Sequence, residues 1–206
     1  SVTLVTMFLT PFVSRATAPI YGFYQRRRSA EPVLTINIAH DELHDHVIVA
    51  GAGHMGRTVS GVLQRLGLPF VVVELDQHRL ETCRAAGVPV IYGDASHPVV
   101  LEAAGLSRAC VLLIATPSSV VTLATARHAR QLRPDLHIVA RAETGELLDD
   151  LHELGVHEVV LPQMEAGLEV TRQALLHLQV PDQQIERFAD EVRREFYRPL
   201  RGDDSS

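Results

Sequence analysis

The stretch "VIVAGAGHMG", residues 47–56, decides how this chain folds. A short apolar run ends in three glycines, Gly51, Gly53 and Gly56, spaced Gly-x-Gly-x-x-Gly. Glycine triplets also arise by chance, so the spacing carries weight only between a strand and a helix. Both flanks are present here. Val47–Ala50 has the composition of a buried strand, and Val59, Val62, Leu63 and Leu66 recur on one face of a following helix. In that setting Gly51 permits the tight turn and Gly53 lets a diphosphate approach the backbone. Gly56 lets the helix pack closely on the sheet. The free N–H groups of the first turn, at His54 and Met55, face the phosphates. The competing reading is a glycine-rich turn that binds nothing.

Outward from this stretch the chain alternates short aliphatic runs with amphipathic segments. The runs are 47–50, 70–75, 88–92, 111–115, 137–140 and 156–161. The helical segments between them are about 57–66, 77–86, 98–104, 119–132 and 144–154. This alternation predicts an α/β fold, a Rossmann-like doubly wound parallel sheet of about six strands buried on both faces. Two C-terminal helices follow, Met164–Leu178 and one opening at Pro181, before the tail "GDDSS". Residues 46–162 thus form the nucleotide lobe, and 163–206 the C-terminal helices and tail.

The second run, "FVVVELD", ends in Glu74, 23 residues after Gly51, with Leu75 beside it. A carboxylate there accepts hydrogen bonds from the ribose 2′- and 3′-hydroxyls and repels a 2′-phosphate, so NADP is disfavoured. "YGDAS" puts Asp94 and Ala95 just past the third run, where an adenine would lie. Asp94 has a second reading as the cap of the next helix. "IATPSS" places Thr116, Pro117 and Ser118 at the carboxyl edge of the fourth strand, the edge where open parallel sheets bind ligands.

Composition narrows the function. The 206 residues carry a net charge of −6, which argues against a nucleic-acid partner. No lysine occurs, so all 19 positive charges are arginine, and Schiff bases and Walker-type phosphate lysines are excluded. Cys83 and Cys110 have no paired spacing and read as reduced core thiols.

The first 13 residues, "SVTLVTMFLTPFV", are apolar but would span only about 20 Å as a helix, against a bilayer core of roughly 30 Å. Tyr21, Phe23 and Tyr24 follow, then Arg26, Arg27 and Arg28, the pattern of a cytoplasmic membrane border. Residues 1–28 are expected to be the end of a last transmembrane helix; an amphipathic arm is the alternative. Residues 29–45 read as a linker with one short extended piece within 33–38. Within it "HDELHDH" (His40, Asp41, Glu42, His44, Asp45, His46) reads as solvated linker rather than a metal site.

These residues carry a family resemblance. The run from His46 to about Leu178 resembles the amino-terminal lobe of regulator-of-potassium-conductance domains, also called RCK, KTN or TrkA-N. Most specific are "YGDAS" followed by "LEAAGLSRA", and "ELGVHEVVLPQMEAGLEVTRQAL". "MFLTPF" resembles the end of the last membrane helix of Kef-type cation:proton antiporters. The resemblance implies binding of an adenine nucleotide: NAD(H), AMP, ADP or ATP. It implies phosphate at Gly51, Gly53 and Gly56, ribose at Glu74, adenine at Asp94, Thr116 beside the phosphates, and Arg141 facing the cleft. Many members carry arginine where this chain has His54, and the sequence leaves open whether Arg57 replaces that contact. The resemblance also implies a homodimer through the C-terminal helices and an antiporter domain in the same chain. The location implied is the cytoplasmic face of the bacterial inner membrane.

Two other classes compete: a fragment of a soluble NAD-dependent oxidoreductase, and a stand-alone regulatory subunit. A dehydrogenase needs an acid/base group near the nicotinamide. His97, His128 and His157 are scattered in sequence and form no evident constellation. The chain reads as a sensor and not as an enzyme.

Overall fold

The computed structural model describes residues 34–36 and 43–197. The expected membrane-helix end over 1–28 lies outside the described residues. So do most of the linker, with His40, Asp41 and Glu42 in it, and the "GDDSS" tail. A seven-stranded sheet runs through the described part. Its strands are β1 (Leu34–Ile36), β2 (Val47–Ala50), β3 (Phe70–Glu74), β4 (Val90–Tyr92), β5 (Val111–Ile114), β6 (His137–Arg141) and β7 (Glu158–Val160). The helices are α1 (His54–Arg65), α2 (Gln77–Ala85), α3 (Pro98–Ala103), α4 (Ser119–Leu132), α5 (Gly145–Glu153), α6 (Pro162–His177) and α7 (Asp182–Phe196). Six strands are parallel, as the alternation of runs predicts. The extended piece expected within 33–38 is β1, which pairs antiparallel with β4.

Across the sheet the order is β1-β4-β3-β2-β5-β6-β7. Chain direction across the sheet reverses between β2 and β5, and that reversal opens the crevice in which doubly wound folds seat ligands. Burial explains why these strands form here. Val49, Phe70, Val72 and Val90 pack with Leu80 and Cys83 of α2, and Val59 and Leu63 of α1 lie against them. The alternate residues Ile48, Val71, Val73 and Ile91 point to the opposite face and are equally buried. Covering both faces takes each such side chain fully out of water, worth about 1.5–3 kcal/mol apiece.

Two expectations need correction: His46, placed in the solvated "HDELHDH" linker, is fully buried, and Cys110 is not a core thiol. Cys83 is a buried thiol, pushed up by burial and then by the Glu74 charge, but Cys110 is exposed. It stands just before β5, outside the core, with its thiol donating to the carbonyls of Asp45 and His46 at 3.4 and 3.3 Å. α6 has no buried residue, and α7 buries only Ile185. The two are tied to each other where Arg193 Nη2 pairs with Glu165 Oε2 at 3.1 Å. Tyr197 Oη donates to Glu165 Oε1 at 3.1 Å and accepts from the N–H of Leu161 at 3.2 Å.

Candidate nucleotide-binding site

The three glycines have three different reasons to be glycine. Gly51 ends β2 at φ +103°, a backbone that L side chains rarely adopt, and a Cβ there would also come within 3.3 Å of Thr116 N. A Cβ on Gly56 would lie 1.8 Å from Gly51 O, so the helix can pack on the turn only without one. Gly53 is unlike both. Its φ of −64° and ψ of −167° suit any residue, and a Cβ there would meet only Arg79 Nη1, at 3.7 Å. Nothing inside the fold forbids a side chain at Gly53. Its bareness leaves the outer side of the turn open.

Gly53 is the N-cap of α1 and offers no side-chain cap, and the first turn holds no acidic residue. No side chain takes the N–H groups there, and such a helix start is an end at which anions can bind. Three other helices close the same end with a side chain, Asp76 accepting from Arg79 N, Ser118 from Val121 N and Thr144 from Leu147 N, while α3, α6 and α7 also begin without one.

Glu74 is buried and holds the loop itself. Its Oε2 accepts from Ala52 N at 2.6 Å, and its Oε1 accepts from Leu75 N and Asp76 N at 2.8 and 2.7 Å. A carboxylate offers about four lone-pair sites. Three are spent on backbone, so the shape of the glycine turn is written partly by Glu74. Leu75 beside it is exposed.

Asp94 does not cap α3. Its Oδ1 accepts from Ser96 N at 2.8 Å in a local turn, and the N-cap is His97, without a side-chain bond. Ala95 is buried. Thr116 lies directly against the glycine turn, and its Oγ1 accepts from Ser118 N at 3.4 Å. Pro117 is exposed beside it. Register places the ends of β2, β3, β4, β5 and β6 along one edge, so Gly51, Glu74, Asp94, Thr116 and Arg141 all emerge there. Arg141 is paired with Glu143, and its Nε is buried without a hydrogen bond. The sequence reading missed Arg79, whose Nη1 lies 3.9 Å from Glu74 Oε2.

The three histidines do not converge. His128 Nδ1 donates to Ser96 O at 2.7 Å, His97 opens α3, and His157 stacks on His137 with centroids 4.6 Å apart. His157 Nδ1 accepts from Ile138 N near the start of β6, away from the ligand edge.

Residues 47–162 match the TrkA-N domain. The chain belongs to the TrkA-N family. This TrkA-N chain is 34% identical over 204 residues to a K(+) efflux antiporter KefB of Alkalimonas amylolytica, covering 96% of this chain. It spans 31% of that relative's length. Among solved structures it resembles the Shewanella denitrificans Kef CTD in its AMP-bound form. The TM-score is 0.65 with 26% identity over 74% of this chain and 95% of that one. It also resembles GsuK bound to ADP, at TM-score 0.50 and 27% identity over 59% of this chain and 32% of that one.

Proposed function

We propose that this TrkA-N lobe senses an adenine nucleotide and regulates potassium or sodium/proton antiport by a membrane domain of the same protein, without enzymatic turnover. The observation that carries this reading is Gly53. The glycine turn is bare at the one position where the fold itself would tolerate a side chain, and it sits on an uncapped helix start. Support comes from the relatives: the Shewanella Kef domain binds AMP and GsuK binds ADP. The ligand class is an adenine nucleotide, NAD(H) or AMP, ADP or ATP, with NADP disfavoured by the Glu74 carboxylate. The site is the crevice edge formed by Gly51, Gly53, His54, Met55, Gly56, Glu74, Leu75, Asp94, Ala95, Thr116, Pro117 and Arg141. A nucleotide acts on the transporter only through its differential affinity for two states of the lobe.

Two such lobes would meet through the exposed apolar residues of α6 and its C-terminal end, at the cytoplasmic face of the bacterial inner membrane. Val170 and Leu178 are each 70% exposed. Among the described residues no helix is long and apolar enough to cross a membrane.

The test is a thermal-shift panel of AMP, ADP, ATP, NAD, NADH and NADP on the 206-residue chain, with turnover of NADH followed in parallel. A ligand bound only by the native state raises the melting temperature by mass action. Stabilisation by adenine nucleotides but not by NADP, with no NADH consumption, is expected. No shift with any of them sinks the sensor reading, and steady NADH oxidation would favour the oxidoreductase.

A further inference from the structure

We propose that Arg79 is the phosphate-binding cation of this site, so that the lobe selects its ligand by the charge at the 5′ position of the nucleoside. This rests on the nucleotide reading above and adds the group that makes it selective. The argument starts from how Arg79 is placed. Glu74 Oε1 accepts from Asp76 N at 2.7 Å, and Asp76 Oδ1 accepts from Arg79 N at 2.9 Å. These two bonds fix the first turn of α2 relative to the glycine turn. They deliver the Arg79 guanidinium to the outside of Gly53, 3.7 Å from where a Cβ would stand.

That guanidinium has unspent capacity. Among the described residues its side chain makes no hydrogen bond, and the nearest carboxylate oxygen, Glu74 Oε2, is 3.9 Å away. That oxygen is already accepting from Ala52. The Arg79 side chain is 48% exposed, so its planar fork reaches solvent over the turn. A guanidinium matches phosphate oxygens two at a time, which neither the His54 ring nor a backbone N–H can do. The other cation on this edge, Arg141, is already paired with Glu143, and Arg57 of α1 stays more than 4 Å from where a Gly53 Cβ would stand. A phosphate seated on the α1 N-terminus over Gly53 therefore has Arg79 as its neighbouring cation, while Glu74 keeps the loop in shape.

The test is calorimetric titration of the 206-residue chain with AMP and with adenosine, which differ only in the phosphate. Arg79→Gln is compared with Arg79→Lys and with Arg84→Gln, an equal charge loss on an exposed residue of the same helix. Arg79→Gln is expected to weaken AMP about tenfold or more and to leave adenosine within about twofold. Arg79→Lys should keep part of the preference, since it retains charge but not the fork. Arg84→Gln should match wild type, and the unliganded melting temperature should stay the same in all three. Equal losses for AMP and adenosine, or no loss for either, would overturn the role of Arg79 while leaving the nucleotide site standing. A wild-type chain that binds neither ligand removes the site and this inference together.

Discussion

Glu74 Oε2 accepts a 2.6 Å hydrogen bond from the backbone N–H of Ala52, 22 residues earlier in the chain. The residue proposed for the ribose end thus holds the turn proposed for the phosphate end. If Glu74 acted on ribose alone, replacing it would change binding and leave the empty protein as stable as before. Instead, Glu74→Ala orphans three backbone N–H groups, one of them, that of Ala52, in the glycine turn itself. It is expected to cost about 3 kcal/mol without ligand, measured by denaturant unfolding. An unchanged unliganded stability would return Glu74 to a ligand-only role.

The glycines separate folding from binding. Gly56→Ala puts a methyl into Gly51 O and should destabilise the lobe by several kcal/mol or abolish soluble expression, on the order of other overpacking changes. Gly53→Val should leave the melting temperature within about one or two degrees, because only Arg79 Nη1, 3.7 Å from a Cβ, lies nearby, yet abolish the AMP-induced shift. If both substitutions behave alike, the division of roles within the turn is wrong.

Much of this was legible in advance. The triplet spacing, its flanking strand and helix, and the run of six aliphatic strands follow from local pattern, which is what single-residue chemistry records. Arg79 was not legible, because its position depends on two side-chain caps that turn the start of α2 toward the loop. Neither the exposure of Cys110 nor the pairing of β1 with β4 could be read from local pattern. Both are settled by which residues the sheet brings together over long separations. Asp94 reads equally well as a cap or a ligand contact in sequence, and only its bond to Ser96 N removes the cap.

Acid should loosen the edge opposite the ligand. His46 is fully buried; its Nε2 donates to Ala104 O at 2.8 Å, while Nδ1 has no partner. Burial holds its pKa below the ordinary 6.5, aided by Arg108 and His44 and opposed by the Ala104 carbonyl and Asp45. The unfolded chain therefore takes up this proton first as pH drops. The stability linked to His46 is complete above about pH 6.5 and is lost as pH falls from there toward the folded value. Denaturant midpoints taken from about pH 7.5 to 5.5 should fall more steeply for wild type than for His46→Gln. Parallel slopes would exclude His46 as the source.

The free faces of the last helices give a test of assembly. Val170 and Leu178 are each 70% exposed, so Val170→Asp with Leu178→Asp should leave the monomer's melting temperature nearly unchanged. Sedimentation is expected to show wild type at twice its 22.7 kDa and the double variant at 22.7 kDa. A wild-type monomer at tens of micromolar would remove the proposed dimer.

The direction of β1 has a mechanical consequence. Because it runs antiparallel to β4, its first residue, Leu34, stands opposite Tyr92, and its last, Ile36, opposite Val90. The polypeptide therefore joins the sheet at the crevice rim, two residues from Asp94, and only then travels to the far side before β2 begins. A displacement of the Tyr92–Asp94 corner, such as the proposed seating of a base there would cause, would reach Leu34 through a single rung of the ladder, without having to cross the lobe.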